Sequence, residues 1–549
     1  MLRPFVLCLG IALASACSSG SHAPAARART RPAVVVLVVV DQLPSWAFER
    51  ARPLFTGGFA RLLDEGAYVP AATLPYANPF TAPGHATIGT GAAANVHGVL
   101  GNSWYRRADG KDRPAEYDLD AMPFAVGPAI GGELGPNDSA SGKALRVDGI
   151  ADELRRAHPA AKSIAIALKA RAASFMIGRR PDLAVWYEAA AGGMTTSRAY
   201  ADEAPRWLVE LARAHPVSRW FRETWSARDP ALLARVTGIA DDAAGEGSVH
   251  GLGTTFPHDL GKSDAPEQAI VHTPFADEMV LDAALAALDA LPLGQDDVPD
   301  LLAIGFNARD YAGHLWGPDS WEALDLTLRL DAVLGRLFGE LDRRFGRDGW
   351  AIVLTSDHGA TPVVDRAKPG NYRVPQTQIA EVADAAIAGK LGKGAWVASV
   401  TSSNIYLSRD FAAAPADARG AALDAAVAAV AKLPGIAAVG RVDQMQGHCE
   451  AKTGLAQAIC LSIVDGESGE LYVVPSRGSL ITDYKTGTHH DAPFEDNRQV
   501  PILVRAPGVR HQTGTGTLLQ VAPTVAALLG VPPPPAASAP PLFSIAARR

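Results

Sequence analysis

Three apolar, β-branched runs punctuate the chain: Ala33 to Val40, Leu301 to Phe306 and Ala351 to Thr355. None alternates with polar residues, so each reads as a strand buried on both faces, as in a parallel sheet, and not as a surface strand. A fourth run, Val500 to Val504, lies near the C-terminus. The first three lead directly into polar clusters: Asp41, then Asn307-Ala308-Arg309-Asp310, then Asp357-His358-Gly359. Ligand sites in open α/β sheets form beyond the carboxyl ends of the strands. The pattern therefore delivers acids and histidines to the place where such a fold builds a metal site.

Helical spacing appears between the strands. Leu330, Val333, Leu334, Leu337, Phe338, Leu341 and Phe345 form one apolar stripe, with Arg336, Glu340, Asp342 and Arg343 on other faces, which predicts a core-facing helix. Leu518 to Leu529 predicts a final helix, ended by Gly530 and the prolines from Pro532 onward. Residues about 100–275 are rich in Gly, Pro and Trp without one sustained period, and read as an insertion. Residues about 370–480 read as an α+β cap, with a strand at Asn404 to Leu407, an alanine-rich helix at Ala413 to Leu433 and a strand at Gly435 to Val442.

At 549 residues the chain exceeds what one minimal core needs. A net charge of -7 gives no reason to expect nucleic acid or an acidic membrane surface as partner. The N-terminus reads as an export signal over residues 1–17: Arg3, the apolar stretch Phe5 to Ala14, and the small-residue site Ala14-Ser15-Ala16. Cys17 follows, then a polar tether over 18–31. Cys17 resembles the acylated cysteine of bacterial lipoproteins, but Leu13 stands one place from the usual leucine position, so lipid anchoring and plain secretion both stay open. Cys449 and Cys460, eleven positions apart in an exported chain, are expected to form one local disulfide.

The candidate chemistry starts from acids and imidazoles. Asp310 and His314 are four residues apart and can bind one ion from a turn or helix start. Asp357 and His358 are adjacent, with side chains expected to point opposite ways, and His490 lies in G-T-H-H-D-A-P-F. Mixed carboxylate and imidazole ligands suit zinc, with manganese or another divalent ion open. Thr81, in A-N-P-F-T-A-P-G-H, falls near a predicted helix N-terminus that favours an anion. A threonine hydroxyl needs a cation to become a nucleophile near neutral pH.

These segments, V-V-V-D-Q, N-P-F-T-A-P-G-H, H-G-V-L-G-N, L-K-A-R, F-N-A-R-D-Y-A-G-H, T-S-D-H-G and H-D-A-P-F, resemble in kind and order the exported threonine-nucleophile alkaline phosphatases of the PafA type. The resemblance implies an α/β/α sandwich with a mostly parallel sheet and cap insertions, spanning residues 32–535, followed by a tail over 536–549. It implies two zinc ions: one on Asp310, His314 and His490, the other on Asp41, Asp357, His358 and Thr81. His490 is preferred over His489 because it directly precedes the Asp491-Ala492-Pro493-Phe494 turn. It further implies that Asn102, Lys169 and Arg171 contact the phosphoryl oxygens. Two cations and an amide suit the three charged oxygens of a monoester dianion.

The expected activity is hydrolysis of small-molecule phosphate monoesters through a phosphothreonine, by a monomeric enzyme that is periplasmic, anchored to the outer membrane or secreted. Membrane contact would come only through Cys17. A phosphodiesterase or nucleotide pyrophosphatase is the alternative, with the K-x-R of Lys169 and Arg171 as discriminator. A sulfatase is set aside because T-A-P-G-H differs from the C/S-x-P-x-R pattern at its first and last positions.

Overall fold

The computed structural model describes residue 1, residues 31–366 and residues 370–543. The export signal and Cys17 fall mainly in 2–30, outside the described residues.

The apolar runs form the centre of one sheet. In chain order its strands are β1 (Val34–Val40), β2 (Ala67–Thr73), β3 (Ser163–Ala167), β4 (Leu183–Glu188), β5 (Gly193–Thr195), β6 (Asp300–Phe306) and β7 (Trp350–Thr355). After a cap containing β8 (Val397–Thr401), β9 (Asn404–Leu407), β10 (Ile436–Arg441) and β11 (Leu471–Pro475), the chain returns with β12 (Gln499–Arg505) and β13 (Gln512–Thr513). Among the described residues the main sheet has nine strands in the order β13-β2-β12-β7-β1-β6-β3-β4-β5. The five from β7 to β4 are parallel. β12 runs antiparallel to both β7 and β2, and β5 antiparallel to β4.

Burial on both faces is the reason these strands read as continuous apolar runs. Val34, Val36, Val38 and Val40 join one core cluster, while Val35, Leu37 and Val39 join the other. The helices that position the site are, in chain order, α1 (Thr81–Thr90), α2 (Ala170–Phe175), α3 (Pro274–Ala290), α4 (Ala308–Trp316), α5 (Trp321–Phe345), α6 (Gln376–Leu391), α7 (Ala416–Val430) and α8 (Val521–Leu529). The α5 stripe of Leu330, Val333, Leu334 and Leu337 covers the first face together with α3. On the second face α8 contributes Val521, Ala522, Val525 and Leu529. The result is the expected α/β/α sandwich.

Element boundaries differ from the sequence reading in instructive places. The interval 100–275 is not insertion throughout, because it supplies β3, β4 and β5 to the main sheet. The cap helix runs over Ala416–Val430 and its strand over Ile436–Arg441, both shorter than their patterns. The cap has its own four-stranded sheet, β8-β9-β11-β10, and a separate core of Ile379, Ile387, Ile405, Leu423, Val430 and Val473. Residues past 535 still pack on the body, with the Leu542 amide donating to Thr524 Oγ1 at 2.9 Å. Cys449 and Cys460 are disulfide-bonded. No helix among the described residues is long and apolar enough to cross a membrane.

Candidate active site

Strand register brings the polar clusters to one level. Val40 lies opposite Phe306, Val39 opposite Thr355, and Gly305 opposite Ala167. Asp41 leaves β1, Lys169 follows β3, Asn307 and α4 follow β6, and Asp357-His358 follow β7, all at the carboxyl edge. Asp41, Asp357, His358 and His490 are fully buried there. Asp310 and His314 lie one turn apart on α4, which turns both toward the same point.

The histidines show what the centre is built for. His358 Nδ1 lies 2.8 Å from Gly359 O, His314 Nδ1 2.8 Å from Thr488 O, and His490 Nδ1 2.6 Å from Pro79 O. Each carbonyl accepts a hydrogen bond from Nδ1–H, which in the neutral ring leaves the lone pair on Nε2. These lone pairs converge: His490 Nε2 stands 3.2 Å from His314 Nε2, and the His358 and His490 rings stack at 3.7 Å. Two acceptors face to face repel unless a cation lies between them. Burial lowers the His358 and His490 titrations, with neighbouring imidazoles adding to the effect at His490, which keeps both rings neutral. At His314 burial works downward, but the Asp310 charge and hydrogen bond outweigh it and the titration is raised.

The carboxylates complete the donor set. Asp41 Oδ1 and Asp357 Oδ2 are buried without a hydrogen-bond partner, although His358 Nε2 stands 3.3 Å from each. A buried carboxylate oxygen left unpaired costs on the order of several kcal/mol. Cations relieve that cost, so the residues fit divalent metals. Ligand atoms of Asp310, His314 and His490 all lie within 4.8 Å of one another, as do those of Asp41, Asp310 and His358. Asp310 belongs to both groups, and Asp357 to neither. The adjacent Asp357 and His358 converge on the same centre instead of pointing apart, because the chain has left β7 and turns there.

Thr81 is the first residue of α1, after an extended Phe80, with its Oγ1 3.3 Å from His358 Nε2. Pro83 is accommodated in the first turn, where its missing N–H is not needed. Gly84 lets α1 approach the Asp357 turn closely. A Cβ there would stand 2.5 Å from Asp357 O and 2.7 Å from Asp357 Cβ. Asn102 Oδ1 accepts the Ala82 amide at 2.8 Å, which leaves its NH₂ as the group to donate elsewhere.

Lys169 Nζ lies on the acids themselves, donating to Asp41 Oδ2 at 2.7 Å and to Asp310 Oδ2. Burial opposes its charge, but Asp310 and Asp41 overcome this and raise its titration. Arg171 Nε donates to Glu116 Oε1 at 3.3 Å. His489 lies outside both ligand groups, stacking edge-on against Phe80, and burial lowers its titration to about 3.

Several residues that frame the centre lie inside the segments read from the sequence but were given no role there. Asn307 Nδ2 donates to Asp41 Oδ2 at 2.9 Å, while its Oδ1 accepts the Leu168 and Lys169 amides at 2.8 and 3.2 Å. Gln42 Nε2 donates to Asp310 Oδ1 at 2.6 Å and its amide to Asp357 Oδ1 at 3.2 Å, from a left-handed φ of 60°. His85 Nδ1 stands 3.2 Å from Asp357 Oδ2. The signal available for Asn307 and Gln42 was their place directly after a buried strand or its terminal acid.

Comparison with known proteins agrees with this geometry. The family model for type I phosphodiesterase / nucleotide pyrophosphatase matches residues 35–500. Alkaline phosphatase PafA of Elizabethkingia meningoseptica is 26% identical over 531 residues, covering 94% of this chain and 95% of that protein. Alkaline phosphatase PhoK of a Sphingomonas species is 28% identical, covering 92% and 89%. The crystal structure of wild-type PafA superposes with a TM-score of 0.84 over 93% of this chain and 98% of that one. The chain thus belongs to the type I phosphodiesterase / nucleotide pyrophosphatase family, and within it is a metal-dependent alkaline phosphatase of the PafA type that hydrolyses phosphate monoesters.

Proposed function

We propose that Thr81 is the nucleophile, that Asn102, Lys169 and Arg171 bind the phosphoryl group, and that the metals are two zinc ions. Asp310, His314 and His490 would hold one ion, and Asp41, Asp357, His358 and Thr81 the other, with Asp310 beside both. The convergence of three Nε2 lone pairs, each fixed by an Nδ1 contact to a backbone carbonyl, carries this reading. When bound, the ions supply the positive charge that acidifies the Thr81 hydroxyl and steadies the departing oxygen.

The chain's own residues do the rest. The Thr81 Oγ1–P bond forms as the P–O bond to the alcohol breaks, giving a phosphothreonine. Water then cleaves that ester to inorganic phosphate and restores the hydroxyl. Position at the start of α1 places the phosphoryl group against the positive end of a ten-residue helix. Asn102 keeps its NH₂ for a phosphoryl oxygen. Lys169 and Arg171 exchange carboxylate partners for the other oxygens, which a monoester dianion offers and a diester lacks.

A PafA variant of known structure carries substitutions at a threonine and an asparagine twenty-one positions apart, and at a lysine and an arginine two apart. Thr81 to Asn102 and Lys169 to Arg171 have the same spacings. This similarity supports the assignment.

The test is zinc-supplemented kinetics on p-nitrophenyl phosphate and bis-p-nitrophenyl phosphate. The pair Lys169→Ala/Arg171→Ala should lower monoester kcat/KM by about 10³-fold or more and leave diester turnover far less affected. A diester preference indifferent to both substitutions would favour the phosphodiesterase reading instead. The N-terminal pattern of Arg3, the apolar stretch and Ala14-Ser15-Ala16 supports export, and the catalytic body is assigned to residues 32–535, with cap insertions and a monomeric state.

A further inference from the structure

We infer that the cap builds a leaving-group subsite for uncharged, polyhydroxylated alcohols, so that sugar- and polyol-type phosphate monoesters are this enzyme's preferred substrate class. The inference rests on the monoesterase reading above and adds what lies on the alcohol side of the scissile bond.

A cleft of about 390 Å³ opens beside the nucleophile. Its inner wall is Phe80 and His489, the chain neighbours of Thr81 and His490, together with Asn102, which accepts the Ala82 amide. Its outer wall comes from the cap and the strand-to-ligand loop: Ser402, Ser403, Gln376, Thr482, Asp483 and Tyr484. A phosphoryl group seated at Asn102 has its ester oxygen directed away from Thr81 for in-line displacement, and the cleft is the space beside Asn102 able to receive the alcohol.

Three features give the cleft a chemical preference. First, no lysine or arginine among the described residues lines it, while Asp483 and the buried Asp491 do. An anionic alcohol there would meet a carboxylate and no counter-charge. Second, the lining is dominated by hydroxyl and amide groups able both to donate and to accept, which matches the hydroxyls of a polyol. Third, Tyr484 is 72% exposed at the edge of the cleft, the most exposed aromatic among the described residues. An uncovered aromatic face is a platform for the C–H face of a sugar ring.

The walls are also held in place. Ser402 Oγ donates to Ser103 O at 2.7 Å, tying the cap to the segment after Asn102. Ser402 and Ser403 hold left-handed φ values of 47° and 63°. Asp483 Oδ1 accepts from Thr377 Oγ1 at 3.2 Å, tying the loop to the first turn of α6.

The test compares kcat/KM for glycerol 3-phosphate and 3-phosphoglycerate, two three-carbon primary monoesters that differ by a carboxylate. Reading both on the same zinc-loaded preparation cancels any difference in active fraction. Wild type should favour glycerol 3-phosphate by about tenfold at low ionic strength, less at high salt. Asp483→Asn should narrow that ratio and Asp483→Lys should abolish or invert it. Tyr484→Ala should lower glucose 6-phosphate relative to glycerol 3-phosphate by about fivefold. A wild-type ratio near one, or ratios that no substitution moves, overturns the subsite while leaving the monoesterase reading intact. Turnover of bis-p-nitrophenyl phosphate with none of these monoesters overturns both.

Discussion

Asn307 joins two parts of the site through one amide, holding Asp41 with its NH₂ and the backbone before Lys169 with its oxygen. Partners of this kind fix the angle at which a ligand meets its metal, and their loss costs about 10–100-fold in affinity or activity. Asn307→Ala should therefore weaken zinc binding in a chelator competition and lower kcat by a similar factor, with KM little changed. Unaltered zinc affinity would show that Asn307 is only packing. At this scale the sequence displayed the charged ligands and hid their supports. Asp310 with His314, and Asp357 with His358, advertise themselves by residue type and spacing. Asn307, Gln42 and His85 are ordinary in composition and acquire meaning only when separate strand ends are brought together.

A different titration belongs to the elements around the site. Asp277, on α3, is buried, and burial pushes its carboxyl up to about 8 against the hydrogen bond from the Ala308 amide at the start of α4. A carboxyl raised in the folded state binds its proton more tightly folded than unfolded. Its stabilising contribution is full below the ordinary carboxyl value of 3.8 and is lost as pH rises toward about 8. Thermal unfolding should show wild type losing stability between pH 5 and pH 9, and Asp277→Asn should reduce that loss by about 2 °C or more in Tm. Parallel pH dependences in the two proteins would dismiss the linkage.

Of the main-sheet strands that were readable, β1 and β7 are apolar and rich in β-branched residues, β6 is apolar from Leu301 to Phe306, and β12 carries the run Val500 to Val504. β3 is only Ser-Ile-Ala-Ile-Ala, whose alanines serve helix and strand equally, and it lies in a Gly- and Pro-rich interval. Its place between β6 and β4 is set by non-local pairing, which no local pattern records.

For the molecule as a whole, the metal centre is a fold-level clasp. The residues proposed to hold the ions come from the ends of β1 and β7, from α4 and from the loop before β12, so bound ions would tie together segments spanning most of the chain. A ligand held at a thousandfold excess over its Kd stabilises the folded state by about 4 kcal/mol. Exhaustive chelation should abolish phosphatase activity and lower Tm, and zinc should restore both. Full activity after chelation would contradict the metal reading. The sandwich was legible because its central strands and α5 follow simple periodicities. The cap was legible as a unit with less certain edges, since its alanine-rich helix gives no sharp apolar boundary.

Asp41 and Asp357 follow directly on strands of the main sheet and Asp310 lies in the first turn of α4, but His490 shares a short stretch of chain with Asp483 and Tyr484. Lengthening that stretch would displace an imidazole along with the cleft wall. The opposite wall, at Ser402 and Ser403, sits on a turn between two cap strands and carries no ligand. Divergence of substrate range in such a scaffold should accordingly run by substitution on one side of the cleft and by insertion or deletion on the other.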